Sequence, residues 1–454
     1  MMKRILLIVL IVVMFNSFLV MQASADVATG INGELRLRPE YRENADFDKT
    51  APDTQSFYNQ RIRLGFNARI NSDLSGFVQL QDSRIWGADA LITDSLAVAG
   101  NTNEGVDLHQ GYVVLGNISG LPLSLKVGRQ EIAYGDQRLV GSFGWSNQGR
   151  AFDAIRLMYM GDIADIDFWT AKVTENNSCG GGVGCTASPA NKSGQDIDFY
   201  GIYSTLKDNP VPDSNLQAYL LYKRDGATGL EGKINLSEYT LGARLGGKVS
   251  EVGIDYTGEF AYQFGTNANA KADDGTTKTK SVDIAAYAFA VEAGYSIPGI
   301  AWNPRVAVEY DSATGSKSVD KDTTFDQLYP TNHALYGYMD YQGWMNMNDI
   351  TLKLSTRPSD KSFYYLAYHM LSLAEKKDAW YGADGKARTG FGSSASNSKD
   401  AVGHEVDLLA RYTVNQNLKL EAGVSEFFKG DFIEAKVANS ENSTWAYLMG
   451  TVSF

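Results

Sequence analysis

Among the residues able to do chemistry, arginine is the one this sequence concentrates. Between Asp26 and Thr170 there are thirteen basic residues, and eleven of them are arginine: Arg36, Arg38, Arg42, Arg61, Arg63, Arg69, Arg84, Arg129, Arg138, Arg150 and Arg156, beside Lys49 and Lys126. A guanidinium holds its charge at all working pH values and presents a planar fork that pairs bidentately with carboxylate or phosphate. A row of them facing one space suits the guidance of an anion. The same arginines can instead pair with Glu34, Glu40, Asp82, Glu405 and Asp407 and brace a scaffold. The two uses are compatible, because balanced charges narrow a passage and set a field across it.

Other reactive residues are few. Four histidines (His109, His333, His369, His404) and two cysteines leave little for a metal or a nucleophile, and the C-x-x-C-H haem attachment pattern is absent. No cofactor, metal or catalytic residue is therefore expected. Cys179 and Cys185 bracket the glycine-rich Cys179-Gly-Gly-Gly-Val-Gly-Cys185, which in an oxidising compartment predicts a loop-closing disulfide. Asp107-Leu108-His109 and the pairs Asp165/Asp167 and Asp196/Asp198 are the materials for a hydrolytic alternative. Strands that line a lumen generate Asp-x-Asp without any catalytic role.

The elements that must position these residues are strands. From Asp26 onward the chain runs in segments of about ten residues with alternating polarity, the period of a strand with two different faces. In residues 61–70 every odd position is polar or glycine and every even position is apolar. In the first segment Leu35, Leu37 and Tyr41 share one parity, and Glu34, Arg36, Arg38, Glu40 and Arg42 the other. Tyr256, Phe260, Tyr262 and Phe264 lie likewise against Asp255, Glu259 and Gln263, and Val306, Val308 and Tyr310 against Arg305, Ala307 and Glu309. Eighteen such segments can be placed, centred near residues 36, 64, 79, 111, 126, 155, 168, 201, 220, 243, 259, 289, 307, 351, 367, 407, 421 and 448. The links alternate. Long ones cover 43–56, 87–105, 131–149, 175–195, 265–280, 312–343 and 372–399, and short ones include 71–73, 116–120, 357–361 and 415–417.

An even number of two-faced strands with long links at one rim and tight turns at the other predicts an all-β, antiparallel up-and-down transmembrane barrel in the outer membrane of a Gram-negative bacterium. Its apolar parity faces lipid and its charged parity a watery lumen, since a charge on the lipid face costs about 2–4 kcal/mol at midplane. Trp86, Trp145, Trp169, Trp302, Trp344 and Trp445 are expected mostly in interfacial girdles. Lys3 and Arg4, the apolar run 5–20 and Ala23-Ser24-Ala25 read as a cleaved secretory signal, residues 1–25, before a single domain over 26–454. Outside that run no apolar stretch is long enough for a membrane-spanning helix. The formal charge of -12 excludes a basic nucleic-acid-binding surface.

Several segments resemble the alginate export family of outer-membrane porins: residues 78–87 (VQLQDSRIWG), 127–157 (VGRQEIAYGDQRLVGSFGWSNQGRAFDAIRL), 310–315 (YDSATG), 325–340 (FDQLYPTNHALYGYMD) and 403–408 (GHEVDL). The resemblance implies an 18-stranded, monomeric barrel with a positively charged constriction, whose type member passes a polymer of uronic acids by diffusion. Asp82, Arg84, Arg129, Gln130, Arg138 and Asp153 stand at family motif positions. Asp82, Arg84 and Arg129 nonetheless share the parity of lipid-facing neighbours, so they are expected at the loop rim or on a bulge. The 325–333 segment, with His333, is the candidate gate in the longest link. The terminal Phe454 resembles the signal read by barrel-assembly machinery.

The expected function is a passive channel for anionic solutes or an anionic polysaccharide, surrounded by outer-membrane lipid and lipopolysaccharide. Its expected pore-lining residues are Arg36, Arg38, Arg42, Arg61, Arg63, Arg69, Arg305, Glu405, Asp407 and Arg411. Two alternatives stand beside it: a barrel that sheathes a partner such as an electron-conduit cytochrome, and an outer-membrane hydrolase.

Overall fold

The computed structural model describes residues 27–51, 53–87, 103–174, 196–207, 211, 213–228, 233–268, 280–316 and 320–454. The signal segment and the Cys179/Cys185 pair lie outside these residues. Strands whose alternate side chains differ in polarity have no stable open sheet in hydrocarbon, because an edge would leave backbone donors and acceptors without partners. The wall is accordingly closed. Its eighteen strands are β1 (Ala28–Glu43), β2 (Gln55–Arg69), β3 (Leu74–Ile85), β4 (Asn103–Leu115), β5 (Leu123–Gln130), β6 (Phe152–Met160), β7 (Ala164–Thr174), β8 (Ile197–Leu206), β9 (Ser214–Thr228), β10 (Ile234–Val249), β11 (Ile254–Asn267), β12 (Val282–Ser296), β13 (Arg305–Ala313), β15 (Met347–Ser359), β16 (Ser362–Ser372), β17 (Ala401–Thr413), β18 (Leu418–Lys429) and β19 (Ser443–Ser453). The remaining strand, β14 (Lys321–Asp322), is a two-residue piece parallel to β12.

Each of the eighteen sequence-derived centres falls inside a wall strand. The seam closes antiparallel, with Glu34 opposite Ser453 and Glu43 opposite Thr444. Gly33 and Phe454 exchange backbone hydrogen bonds of 2.7 and 3.1 Å at its end. A Cβ on Gly33 would stand 2.3 Å from the Phe454 ring, so glycine supplies the space in which the terminal aromatic lies against β1.

The two faces separate as the alternation requires. Leu35, Ile62, Val127, Ile155, Phe260 and Leu448 are exposed on the outside, and Arg36, Arg61, Glu259, Glu309 and Asp407 are buried within. The inside is not an open watery tube. Long-rim segments fold inward and build a hydrophobic core there, in which Leu139, Val140, Phe325, Tyr336 and Trp344 join the wall residues Phe152, Phe199, Phe427 and Trp445. Helix α1 (Asp431–Lys436) adds Phe432 and Ile433. This corrects the girdle expectation for tryptophan. Trp86 and Trp302 are exposed, but Trp169, Trp344 and Trp445 are buried inside the barrel, and Trp145 packs against that core.

Candidate pore constriction

Residues 131–151 cross the lumen and are held from several sides. On the β1–β2 side, Arg36 donates to the carbonyls of Gly144 (2.9 Å), Trp145 (3.1 Å) and Ser146 (2.9 Å). Arg61 donates to Gly144 and Ser146, both at 3.0 Å, and to Glu34 at 2.8 Å. Arg63 reaches the Gln148 carbonyl at 3.2 Å and Gln81 at 2.6 Å. Arg38 donates to the Trp145 carbonyl at 2.8 Å while its guanidinium lies 3.8 Å over the Trp145 ring. Backbone carbonyls of a loop taken away from water need donors. These arginines supply them, so their forks serve the loop more than an open bore.

Around the rest of the wall the loop supplies the side chains. Glu131 accepts from His109 at 2.8 Å, Tyr134 donates to Asp167 at 2.7 Å, and Asp136 takes Arg244 in a two-point pair at 2.6 and 2.9 Å. Arg138 pairs with Glu309 and with Asp311 (3.2 Å) and donates to the Tyr336 hydroxyl at 2.8 Å. Burial opposes the Arg138 charge, yet the surrounding Asp311 and Glu309 carboxylates raise its pKa well above the usual value.

The second inward segment, 323–346, runs against the first. Val140 and Tyr329 form a parallel bridge, with Gly141 N–H to Tyr329 C=O at 2.8 Å, Tyr329 N–H to Leu139 C=O at 2.9 Å and Thr331 N–H to Gln137 C=O at 2.8 Å. Arg150 donates to the Gly141 and Pro330 carbonyls, and its burial pushes its pKa down to about 10. His333 stacks flat on Trp145 and bonds Asp340 at 3.0 Å. At the wall, Asp326 pairs with Lys223 and exchanges hydrogen bonds with Gln263. The Met339 N–H meets Glu405 at 2.8 Å and the Tyr338 N–H meets Asp407 at 3.4 Å. Gly337 permits this approach, since its φ is +99° and a Cβ there would fall 2.5 Å from the Glu405 carboxylate.

The expected pore-lining residues thus divide. Arg36, Arg38, Arg61 and Arg63 face the lumen beneath the first loop, and Arg42 lies between Glu40 and the Trp445 ring. Glu405 and Asp407, expected to line the pore, face inward and accept from the backbone of residues 338 and 339. The backbone needed acceptors there, and sequence parity shows a face without showing what folds onto it. Arg305, Arg411 and Arg69 sit at the short-turn end. Arg305 joins Asp255 (2.9 Å) and Glu292 (2.5 Å), Arg411 pairs with Glu421, and Arg69 is exposed. Gln130 is buried and donates to the Gly128 and Ala154 carbonyls, so it ties the β5–β6 corner rather than a constriction.

Asp82, Arg84, Arg129 and Asp153 stand on the outer face at the long-loop rim. Arg84 pairs with Asp82, and Arg129 with Asp153 at 3.1 Å. Of the hydrolytic materials, His109 is buried and bonds Glu131, and Asp107 is exposed on β4 opposite Gln81. Residues that sequence reading passed over include Lys353, which binds Glu292 at 2.7 Å and Glu309, and Arg244. Their lumen parity was the available signal.

Between the two loops and the wall a polar cavity of about 140 Å³ remains, bounded by Asp136, Arg138, Leu335, Glu292, Glu309 and Lys353. A larger apolar groove of about 700 Å³, floored by Ala410, Ala422 and Ala446, is on the lipid-facing surface and has no part in the lumen. The inward charges are sorted by wall. Among the described residues, β1 to β6 present Arg36, Arg38, Arg42, Arg61, Arg63, Arg69, Lys126 and Arg156 against Glu34, Glu40 and Asp107, whereas β11 to β13 present Asp255, Glu259, Glu292, Glu309 and Asp311 against Arg305. In a closed wall of eighteen, β2 to β4 lie nine strands from β11 to β13, so the middle of the basic arc faces the acidic one.

Over 93–95% of its length the chain superposes on solved outer-membrane barrels. With OccD3 (OpdP) of Pseudomonas aeruginosa it shares 12% identity and a TM-score of 0.57 over 95% of this chain and 93% of the other. OccAB4 of Acinetobacter baumannii gives 12% and 0.57 over 93% and 98%, and OprD of Pseudomonas aeruginosa 12% and 0.55 over 95% and 97%. At these identities the likeness is one of fold. No curated protein sequence matches the chain. The family model for alginate export matches residues 28–447, which carry both inward loops and nearly the entire wall, and the chain belongs to that family of outer-membrane β-barrel channels.

Proposed function

We propose that the protein is a passive, loop-constricted channel that favours small anionic solutes of the sugar-acid class. The observation that carries this reading is the basic arc of β1 to β6 facing the acidic arc of β11 to β13. A field set between two low-dielectric walls orients a charged solute and draws an anion along the arginine side. The inward loops argue for a small solute, because they pack a hydrophobic core inside the wall and a polar cavity beside them measures only about 140 Å³. Passage of a polymer would require both loops to leave the lumen and break the carbonyl clamp.

Liposome swelling with size-matched solutes tests the proposal. Glucuronate entering faster than glucose, and glucose faster than glucosamine, is the expected order. Equal rates for all three, or glucosamine fastest, would refute the anion preference while leaving a general channel.

A further inference from the structure

Beyond the lumen, the outward face carries a row of charges that the channel does not use. In register across five consecutive strands, Arg129 on β5 stands opposite Asp153 on β6, Asp153 opposite Lys172 on β7, Lys172 opposite Asp198 on β8, and Asp198 opposite Arg224 on β9. The signs alternate along the row. Arg129 meets Asp153 at 3.1 Å, Lys172 meets Asp198 at 2.8 Å and Asp196 at 2.5 Å, and Arg224 meets Asp198 at 3.2 Å. Every member lies within a few residues of the long-loop end of its strand. One register step toward the membrane, the row reads Val127, Ile155, Thr170, Tyr200 and Tyr222. Charge therefore gives way to a largely uncharged band within two residues of strand, about 7 Å.

Charges at this height need not be there to satisfy the barrel. On another arc the equivalent rim row is Ser312, Asn348 and Ser372, opposite one another on β13, β15 and β16 and uncharged. The in-register row of alternating sign runs across β5 to β9, and it is partly open to its surroundings: the side chains of Arg129, Lys172 and Asp153 are 37%, 48% and 60% exposed, those of Arg224 and Asp198 28% and 10%.

We propose that the β5–β9 rim is a docking face for a phosphorylated glycolipid headgroup of the outer leaflet. Arg129, Lys172 and Arg224 recur on every second strand, about 10 Å apart, and meet separate phosphates. Arginine and lysine both bind phosphate, the first as a fork and the second as a point charge. The exposed Asp153 carboxylate holds a divalent cation shared with a neighbouring phosphate, oxygen ligands being what such cations take. The alternation keeps the row neutral enough to fold without lipid and polar enough to exclude acyl chains.

The test uses the full-length barrel in nonionic detergent and a fluorescent bisphosphorylated disaccharide glycolipid as probe. Wild type should bind it, with binding weakened by chelation of divalent cations, and Arg129→Gln/Lys172→Gln/Arg224→Gln should bind about ten-fold more weakly. The neutral-arc variant Ser312→Ala/Asn348→Ala/Ser372→Ala should bind as wild type does. Arg129→Gln alone, the least disruptive change, should show an intermediate loss if the triple variant fails to fold. Because the row is outside the lumen, single-channel current should be unchanged in every variant. Equal affinity for the dephosphorylated glycolipid, equal loss in the neutral-arc variant, or displacement by inorganic phosphate at the same concentration as by the glycolipid would overturn the proposal.

Discussion

Trp145 and His333, from the two inward loops, lie with ring planes 4° apart and centroids 3.7 Å apart, while Arg38 of β1 covers the Trp145 ring from 3.8 Å. One indole thereby joins the wall, the first loop and the second. A flat stack and a buried cation–π contact contribute on the order of 1 kcal/mol each. Removing the ring leaves Arg38 and His333 without it at once.

Trp145→Ala should accordingly loosen the junction without unfolding the barrel. Limited proteolysis should cut within 131–151 in the variant under conditions that spare wild type, while heat-modifiable migration of the barrel is retained. Equal protection would mean that the hydrogen bonds alone fix the loop.

Arg36→Ala/Arg61→Ala removes the arginine donors to the Gly144 and Ser146 carbonyls and leaves the Trp145 carbonyl to Arg38 alone. Hydrogen bonds from a charged donor contribute about 1.5–3 kcal/mol each. The loop should leave the lumen and unit conductance in planar bilayers should rise roughly two-fold or more as the constriction widens. Arg36→Lys/Arg61→Lys should restore the wild-type level only in part, because an ammonium lacks the planar fork.

Glu131, just past the end of β5, sets a pH limit. Burial raises its pKa, but the hydrogen bond to His109 and the Arg63 and Arg61 charges outweigh it and hold the carboxyl below its ordinary value. A lowered folded-state pKa gives stability that is present above the ordinary glutamate value and lost as pH falls through the lowered one. Current noise and protease sensitivity of the loop should therefore increase only on acidification below the ordinary glutamate range. Glu131→Gln should show the loosened behaviour already at neutral pH and no further acid step of this origin.

Lys353 lies between Glu292 and Glu309 on the acidic arc. Lys353→Met leaves those carboxylates without their shared cation and strengthens the negative wall. Cation permeability measured from the reversal potential should increase, and an unchanged potential would place the ion path away from this arc.

The wall was legible because a strand has a strict period of two. The parity that put Arg36 and Arg61 inside also put Arg129, Asp82 and Arg84 outside, and Trp169 and Trp445 follow it too, standing next to outward Phe168 and opposite the parity of Leu448. The girdle expectation ignored that parity in favour of residue type. Trp145 and Trp344 sit in links with no period, so nothing local said where they would go. The carbonyl clamp was illegible for the same reason. Arg36 and Gly144 are separated by 108 residues and the acceptor is backbone, which carries no residue signature. Likewise parity alone could not show that Arg129 faces Asp153 and Lys172 faces Asp198, because that requires register.

The central claim is that opposed charged walls make the channel prefer anions. The zero-current potential of the purified protein in a planar bilayer under a steep KCl gradient, wild type beside Lys126→Glu/Arg156→Glu, tests it most directly. Neither side chain belongs to the carbonyl clamp, but Arg156 pairs with Asp167, the acceptor for Tyr134, so unchanged protease protection of residues 131–151 is required of the variant before its potential is compared. The account predicts a potential of anion-selective sign in wild type that moves toward the cation-selective side in the variant. A cation-selective wild type, or a potential indifferent to the two charge reversals, would contradict it.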